Sequence, residues 1–176
     1  MNNESIQYDC SRGCVIVKDE QSGEKSCTYR EGCCKLGDFN LFKGEADGTY
    51  SNLFEVRFKN TRKGIYINNS PQNVRIGDMV IVEAATGLDL GIVTLEGPIV
   101  GRQMRCKGVD PEKTEFKKIY RKALLSDIEK WQEAIAKEQD TMIKSRRIAA
   151  EMGLDMKIGD VEYQGDGSKA IFYYIA

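Results

Sequence analysis

Residues 53–60 read Leu-Phe-Glu-Val-Arg-Phe-Lys-Asn, and this stretch decides the fold of the central part of the chain. Its two phenylalanines and its valine alternate with charged residues, which is the pattern of a strand with one buried face. Short strands rich in valine and isoleucine follow at 63–69 and 74–101, separated by Gly-Asp and glycine turns. Strands of this length and spacing predict a small, strongly bent antiparallel sheet or barrel over residues 53–109.

At Asp110 the period of the sequence changes from that of strands to that of helices. Asp110 suits an N-cap, Pro111 suits the first helical position, and Gly153 suits the residue that follows a helix. These signals predict a long helical segment over residues 110–153. Because this length exceeds that of most globular helices, we expect either a helix pair with a break or a protruding arm.

An apolar seam runs along this helical segment and is interrupted at Glu138. The simplest explanation of the seam is a buried core. If the helix protrudes, however, the same seam becomes a surface for docking a protein partner, and the length of the segment favours docking. The predicted docking residues are Leu124, Ile128, Trp131 and Ile135.

Residues 154–176 predict a β-hairpin, with strands at 160–163 and from 169, and a glycine-rich turn at 165–167. A two-stranded hairpin alone is marginally stable in water, and the sequence stops within an apolar strand. We therefore expect the hairpin to begin a second, incomplete sheet that continues in residues beyond Ala176.

The overall composition disfavours several classes of protein. The 176 residues are 41% hydrophobic and 30% charged, with a net charge of −1, so the whole surface is not shaped for nucleic acid. The N-terminus lacks the basic flank and apolar core of a signal peptide, and no stretch approaches the roughly 20 apolar residues that span a bilayer. We expect a cytoplasmic protein without membrane insertion, whose cysteines are reduced.

Five of the six cysteines lie in a head and linker formed by residues 1–52, and they are Cys10, Cys14, Cys27, Cys33 and Cys34. Thiolates select iron–sulfur clusters, zinc or copper(I), and the absence of histidine means that sulfur would supply most ligands of a metal. The spacings match neither a zinc ribbon nor a ferredoxin. The adjacent pair at 33–34 cannot easily face one metal, so four ligands of the five are expected. The alternatives are small apolar residues or redox-active thiols.

Four basic residues near the aromatic residues Phe58 and Tyr66 form a candidate nucleic-acid-binding group: Arg57, Lys59, Arg62 and Lys63. Small barrels bind single-stranded RNA through such aromatic faces and cationic loops. Phe58 falls on the apolar face, however, so a core aromatic with solvated charges is the favoured interpretation. A second basic group at 117–122 is interpreted as the exposed start of the helix, and Cys106 as a packed or incidental thiol.

No group of residues indicates catalysis. Asp78, Glu83 and Asp89 could be imagined as paired carboxylates, but the chain has no histidine and no positioned nucleophile beside them. Roles in turns and at strand edges are favoured for these residues. We therefore expect a protein that is not an enzyme.

Residues 56–100, from VRFKNTRKGIYINN to LEGPIV, together with GLDMKIGDVEYQGDGSKAIFYYIA at 153–176, resemble the bacterial RicT/YaaT family, whose shared domain is named after a yeast polymerase suppressor. The cysteine-rich head resembles that of Bacteroidetes-type members. The resemblance implies a regulatory subunit that joins small helical partners in an iron–sulfur complex and promotes mRNA processing by RNase Y. Some of the family's cluster ligands lie in a tail beyond Ala176 and have no counterpart here.

The sequence therefore predicts an α+β protein with a small bent sheet or barrel, a long helix or helix pair, and a hairpin. The leading hypothesis for its function is a non-enzymatic regulatory or scaffold subunit of a cytoplasmic hetero-oligomeric complex, linked to an iron–sulfur cluster and to a ribonuclease. The alternatives are a small barrel that binds RNA or single-stranded DNA directly, and an interaction protein stabilised by zinc.

Overall fold

The computed structural model describes residues 7–9, 14–18, 25–28 and 50–176. The first three ranges are the strands β1 (Gln7–Asp9), β2 (Cys14–Lys18) and β3 (Lys25–Thr28), which form an antiparallel sheet in the order β1-β2-β3. The predicted ligands Cys10, Cys33 and Cys34 lie outside the described residues.

Five strands close a barrel in the order β4-β5-β8-β6-β7. They are β4 (Leu53–Arg57), β5 (Lys63–Asn68), β6 (Met79–Glu83), β7 (Leu88–Glu96) and β8 (Lys117–Lys122). The barrel prediction is confirmed, but the expectation of a purely antiparallel sheet is wrong at one pair, because β8 runs parallel to β5. Strand β8 follows a long connection and lies between β5 and β6. It runs parallel to β5 and antiparallel to β6.

The barrel interior contains the apolar residues that the alternation placed on one face. Val56, Val80, Val82 and Val93 are fully buried there, together with aromatic residues of the β4–β5 region. Gly91 of β7 allows this close packing, since a Cβ at this position would lie 2.5 Å from a Val56 methyl carbon. Interior packing therefore requires glycine in the middle of a strand.

Helix α1 (Pro98–Cys106) covers one outer face of the barrel, where its residues Val100 and Met104 pack on Leu53 and Leu95. The sequence pattern predicts strand and turn here, and the helix corrects that prediction. Pro98 occupies the start of the helix, where its missing N–H leaves no hydrogen bond unmade.

The helix predicted from Asp110 begins instead at Leu125, which is a further correction. Asp110 makes a turn, in which its carboxylate accepts from the Glu112 N–H at 3.1 Å and its carbonyl from the Thr114 hydroxyl at 2.7 Å. The Asp-Pro signal is therefore a turn signal, and residues 117–122 that follow it are needed as a barrel strand. The second basic group accordingly lies on β8 rather than on a helix.

A helix pair, the first of the two alternatives, follows β8. Lys137 separates helix α2 (Leu125–Ala136) from helix α3 (Glu138–Glu151) and caps both of them. Gly153 has φ 65°, so it is the left-handed residue expected after α3. Within the described residues, no helix is both long enough and apolar enough to cross a lipid bilayer.

The predicted C-terminal hairpin is confirmed. Strands β9 (Lys157–Tyr163) and β10 (Ala170–Ile175) pair antiparallel. Ile158 and Val161 of β9 pack against Ala149 of α3, so the helix covers one face of the hairpin. This packing supplies the apolar burial that an isolated hairpin lacks.

Candidate functional site: a polar junction between barrel and hairpin

The most distinctive polar feature of the described chain lies where the β4–β5 turn of the barrel meets the C-terminal hairpin. We call it the polar junction. It contains two cationic side chains, four carboxylates, an amide and a phenol. These are Lys59, Asn60, Arg62, Asp89, Glu138, Asp160, Glu162 and Tyr173.

The β4–β5 turn brings its two cations to one side of the barrel. The Phe58 N–H donates to the Arg62 carbonyl at 2.9 Å, and Asn60 takes a positive φ of 55° that closes the turn tightly. The Arg62 guanidinium then lies over the Phe58 ring, with 3.9 Å between its central carbon and the ring centroid. This stacking orients the guanidinium independently of its carboxylate partners.

Lys59 joins the turn to α3 and to β9. Its Nζ donates to Glu138 Oε2 at 2.9 Å, to Asp160 Oδ1 at 2.6 Å and to the Val161 carbonyl at 2.7 Å. An ammonium group has three protons, so these three acceptors saturate it. Its neighbour Asn60 donates to the other oxygen of Asp160 at 2.8 Å.

Arg62 joins the turn to β9 and β7. It donates through Nε and Nη2 to the two oxygens of Glu162, at 2.9 and 2.7 Å, and through Nη2 to Asp89 at 2.8 Å. Glu162 is only 1% exposed and also accepts from the Lys59 N–H at 3.0 Å and the Tyr173 hydroxyl at 2.5 Å. The bidentate pair of Arg62 and Glu162 fixes the orientation of β9 relative to the turn as well as their contact.

The two buried carboxylates beside Arg62 have pKa values that move in opposite directions. Burial raises the pKa of Glu162, but hydrogen bonds from Arg62 and Tyr173 outweigh burial, and its pKa lies below the usual value. Burial dominates at Asp89, so its pKa is raised although Arg62 and the Gly165 N–H partly offset the effect. Burial raises the pKa of Tyr173, and the hydrogen bond that its hydroxyl donates to Glu162 raises it further. Glu162 is therefore the strongly held anion of the junction.

The tip of the hairpin extends the junction along the barrel. The Gln164 side-chain amide donates to the Thr86 and Leu88 carbonyls at 2.7 and 3.1 Å, and the Gly165 N–H donates to Asp89 at 2.8 Å. A Cβ on Gly165 would lie 2.6 Å from the Leu90 nitrogen, so glycine permits this approach. The hairpin is therefore fixed to the barrel by side chains and by backbone.

The charged groups of the junction are bound within the protein. The cations and the carboxylates within it are hydrogen-bonded to one another or to the backbone, and the central carboxylate is almost fully buried. The geometry instead holds the hairpin and α3 in one orientation relative to the barrel.

The four residues predicted to bind nucleic acid have protein partners in the structure. Lys59 and Arg62 belong to the junction, Lys63 pairs with Glu55 at 2.9 Å, and Arg57 donates to the Asn60 carbonyl at 3.0 Å. Phe58 lies in the barrel core, in agreement with the favoured interpretation. Nucleic-acid binding by these residues stays a prediction, but each cation already has an acceptor within the chain.

Two of the predicted docking residues pack inside the protein. Ile128 and Trp131 are buried against the outer face of β6 and β7, and Ile135 packs at the edge of the same cluster. Leu124 is 58% exposed, just before α2, where its N–H donates to Asp127 at 2.7 Å. The seam thus attaches α2 to the barrel, and docking of a partner by these residues stays a prediction.

The cysteines are only partly within the described residues. Cys14 begins β2 and Cys27 is the third residue of β3. Cys106 at the end of α1 is an exposed free thiol, so it is not packed. Among the side chains that the structure describes, no three cysteines or carboxylates are grouped so that they could hold a metal ion.

Sequence reasoning missed the acidic half of the junction. The sequence pattern places Asp89 at a turn or strand edge, and Asp160 and Glu162 only within a strand. One signal was visible, since Glu138 interrupts the apolar seam, and its carboxylate is 9% exposed and bound to Lys59. A carboxylate at a buried helix position indicates a buried cation elsewhere in the chain.

Comparison with known proteins bears on the C-terminal part of the chain. Residues 117–176 match the family model described as PSP1, the PSP1 C-terminal conserved region. The match confirms the resemblance to a RicT/YaaT-like domain over these residues, while residues 53–116 lie outside it. No curated protein and no solved structure matches the chain.

Proposed function

We propose that this chain, which carries the PSP1 C-terminal conserved region over residues 117–176, is a non-enzymatic scaffold and regulatory subunit of a cytoplasmic protein complex. The resemblance to RicT/YaaT proteins supports a role in which the complex promotes mRNA processing by a ribonuclease of the RNase Y type. Its cysteine-rich head binds an iron–sulfur cluster, or zinc as the alternative.

One observation carries the proposal: the family-matched segment supplies barrel strand β8, and its later part, α3 and the hairpin, is held on the barrel by the polar junction. Glu138, Asp160 and Glu162 belong to the matched segment, and Lys59 and Arg62 belong to the barrel. A scaffold must present its surfaces in a fixed relative orientation, and buried, geometrically demanding ion pairs supply such orientation. The cations and carboxylates of the junction pair with one another, which favours a structural role over a catalytic one.

The residues of the head fit a sulfur-held centre. Cys14 and Cys27 lie on neighbouring strands of one small sheet. Thiolate is the ligand that iron–sulfur clusters, zinc and copper(I) share, and a metal gives a fixed shape to a short segment with little core. Four of the five head cysteines would hold the centre, which would fix the shape of the head and respond to oxidants.

The proposal is tested in the organism that encodes the chain, by deleting the gene and mapping RNA ends across the transcriptome. We expect uncut precursors to accumulate in the deletion strain and to disappear when the wild-type gene is restored. Restoration with an Arg62→Met variant should fail, whereas the exposed-surface variant Arg147→Met should succeed. Unchanged RNA ends in the deletion strain would contradict the proposal.

A second candidate function, direct binding of single-stranded RNA, is favoured by the outer surface of β8. Lys117 and Lys118 are exposed, and Tyr120, which a register shift leaves unpaired with β6, is 48% exposed. Exposed aromatic rings stack on bases while lysines contact phosphates.

Direct binding predicts an affinity for a fluorescent oligoribonucleotide that falls steeply with salt. The double variant Lys117→Glu/Lys118→Glu should weaken binding and reduce the salt slope by roughly two phosphate contacts. Lys130→Glu on the exposed side of α2 is the matched control. Binding that does not depend on salt, or that both variants weaken equally, would reject this function.

A further inference from the structure

The C-terminal hairpin has two edges, and side chains close one of them. Along the outer edge of β9, the Val161 carbonyl accepts a hydrogen bond from Lys59 Nζ at 2.7 Å, and the Tyr163 N–H donates to Glu138 Oε1 at 2.9 Å. A strand that paired with β9 on this side would have to displace both side chains, which also bind each other in the polar junction. The outer edge of β9 is therefore closed to further strands.

The outer edge of β10 is open. In the antiparallel ladder, Val161 lies opposite Phe172 and Tyr163 lies opposite Ala170. Because Val161 and Tyr163 direct their backbone groups away from β10, the residues opposite them direct theirs away from β9. Among the residues that the structure describes, β10 pairs with no strand other than β9. The N–H and C=O groups of Ala170 and Phe172 thus form a template for a further strand.

Two large aromatic side chains lie beside this open edge. Ile158 and Val161 of β9 pack under α3, and the residues opposite them, Tyr174 and Phe172, project from the same face of the sheet. The helix does not cover β10 to the same extent, since Tyr174 is 59% and Phe172 42% exposed. The open edge is therefore apolar as well as unpaired.

Helix α3 extends this apolar surface. Its Arg146 donates to the Gly159 carbonyl of β9 at 3.3 Å, so this flank of the helix lies towards the outer edge of β9. With 3.6 residues per turn, Ile148 and Met152 lie on the other flank, nearer to β10, and both are exposed. Contiguous exposed apolar residues mark contacts with another protein. The surface, which we call the apolar strip, consists of Ile148, Met152, Phe172 and Tyr174.

We propose that this chain forms a two-fold symmetric dimer in which β10 of one copy pairs antiparallel with β10 of a second copy. The two hairpins then make one four-stranded sheet. Phe172 lies at the axis, opposite Phe172 of the second copy, and each copy covers the apolar strip of the other. This self-association is independent of the proposed roles in RNA processing and metal binding.

The chemistry of β10 favours a second copy over a strand of different composition. Residues 170–175 carry no charge, so pairing of two identical strands brings no like charges into opposition. With Phe172 at the axis, the small Ala170 lies opposite the large Tyr174 on both sides, which suits close packing. A two-fold axis also lets one self-complementary surface cover itself.

The closed edge of β9 limits the assembly to two chains. After pairing, the four-stranded sheet ends on both sides in β9, whose outer backbone groups are already bound to Lys59 and Glu138. A sheet grows into open-ended aggregates only where an unpaired edge remains. We therefore expect a discrete dimer.

Sedimentation equilibrium of the 176-residue chain tests the proposal, with a reductant present to exclude disulfide links through the exposed Cys106. The mass should rise with concentration from 19.8 kDa to a plateau at twice this value. Phe172→Pro removes an outward N–H and none that bonds to β9. It should weaken dimerisation at least about tenfold, because the two-fold axis doubles the loss. Phe172→Lys should also weaken it, since it places two ammonium groups opposite each other.

Leu124→Lys is the matched control, because it puts the same charge on an apolar side chain that is 58% exposed but lies before α2. This variant should dimerise like the wild type. The fluorescence of Trp131, the only tryptophan, shows whether each variant is folded.

Amide hydrogen exchange followed by NMR distinguishes edge pairing from other modes of association and needs no variant. The amides of Ala170 and Phe172 should be protected at high protein concentration and exchange freely on dilution. The amides of Ile171 and Tyr173 bond towards β9, so they should be protected at both concentrations.

Several results would overturn the inference. They are a mass of one chain at every concentration, growth beyond two chains, and a dimer that both substitutions of Phe172 leave intact. Equal weakening by Leu124→Lys would show association through apolar surface in general. Protection of Ala170 and Phe172 that does not depend on concentration would show that the edge is covered within one copy. None of these outcomes bears on the RNA-end mapping that tests the proposed function.

Discussion

Arg62→Met removes the cation that Glu162 and Asp89 share in the polar junction. Methionine keeps an apolar stem on the Phe58 ring but cannot donate the three hydrogen bonds that the guanidinium makes. Both carboxylates are buried, so the substitution leaves uncompensated charge inside the protein, which costs about 3–5 kcal/mol. We expect the free energy of unfolding at pH 7 to fall by this amount.

The loss should depend on pH, with a sign that follows from the pKa values. In the wild type the pKa of Glu162 is lowered, so this group contributes stability above its unfolded value near 4.5, and the contribution is lost as the pH falls. Without Arg62 the pKa values of Glu162 and Asp89 both rise, and protonation relieves the penalty of the variant. The difference between wild type and variant should therefore shrink as the pH falls from 7 towards 4.

Urea unfolding followed by tryptophan fluorescence measures this loss, because Trp131 is the only tryptophan and is buried against the barrel. With slopes of roughly 1–3 kcal/mol/M, a loss of about 3–5 kcal/mol should move the midpoint at pH 7 down by about 1–5 M. The matched control is Arg147→Met, which removes an arginine that is 73% exposed and 3.8 Å from Glu151. It should change stability by less than about 0.5 kcal/mol. A loss below about 1 kcal/mol for Arg62→Met, or a loss that is constant between pH 4 and 7, would refute the reasoning.

Further predictions concern the barrel, α2 and acid stability. Gly91→Ala should destabilise the protein by about 1–3 kcal/mol in the same urea assay, because its Cβ would lie 2.5 Å from a Val56 methyl carbon, whereas Gly159→Ala, with 3.5 Å to its nearest neighbour, should change little. Trp131→Ala should cost about 3–5 kcal/mol by calorimetry, and the exposed Leu124→Ala less than about 0.5 kcal/mol. Wild-type protein should lose stability as the pH falls through about 4, seen by thermal melting, because hydrogen bonds lower the pKa values of carboxylates at the junction and the hairpin tip. Equal effects of the paired variants, or an acid-independent melting temperature, would contradict these expectations.

Much of the barrel was predictable because its strands follow a period of two. The alternation in residues 53–60 placed Phe54, Val56 and Phe58 on the buried face, where the structure has them. Local signals also predicted the hairpin, whose glycine turn separates two strands. In these elements the intrinsic preference of the sequence and the tertiary environment agree.

Strand β8 was not predicted because its sequence contains little of the strand signal. Within Lys117–Lys122 only Ile119 is buried, and the Asp-Pro signal upstream at Asp110 indicated a helix. These residues form a strand because they pair with β5 and β6 in the barrel, and not because of their local propensity. Because residues 117–122 form this strand, the helix begins at Leu125 and not at the predicted Asp110.

The polar junction could not be predicted because its partners are far apart in sequence. Lys59 and Arg62 bind residues about 100 positions later, and no periodicity indicates which carboxylate meets which cation. Only Glu138, placed where an apolar residue was expected, showed that a charge would be buried.

The position of β8 has a consequence for how this polypeptide acquires its shape. β5 and β6 follow each other along the chain but are not hydrogen-bonded to each other, since β8 occupies the place between them. Until the residues up to Lys122 have left the ribosome, two strands keep bare edges, and such edges attract other chains. The stretch matched to the family also starts at Lys117, so cutting the gene at that boundary would split one cooperative unit into two pieces, neither of which contains a closed ring of strands.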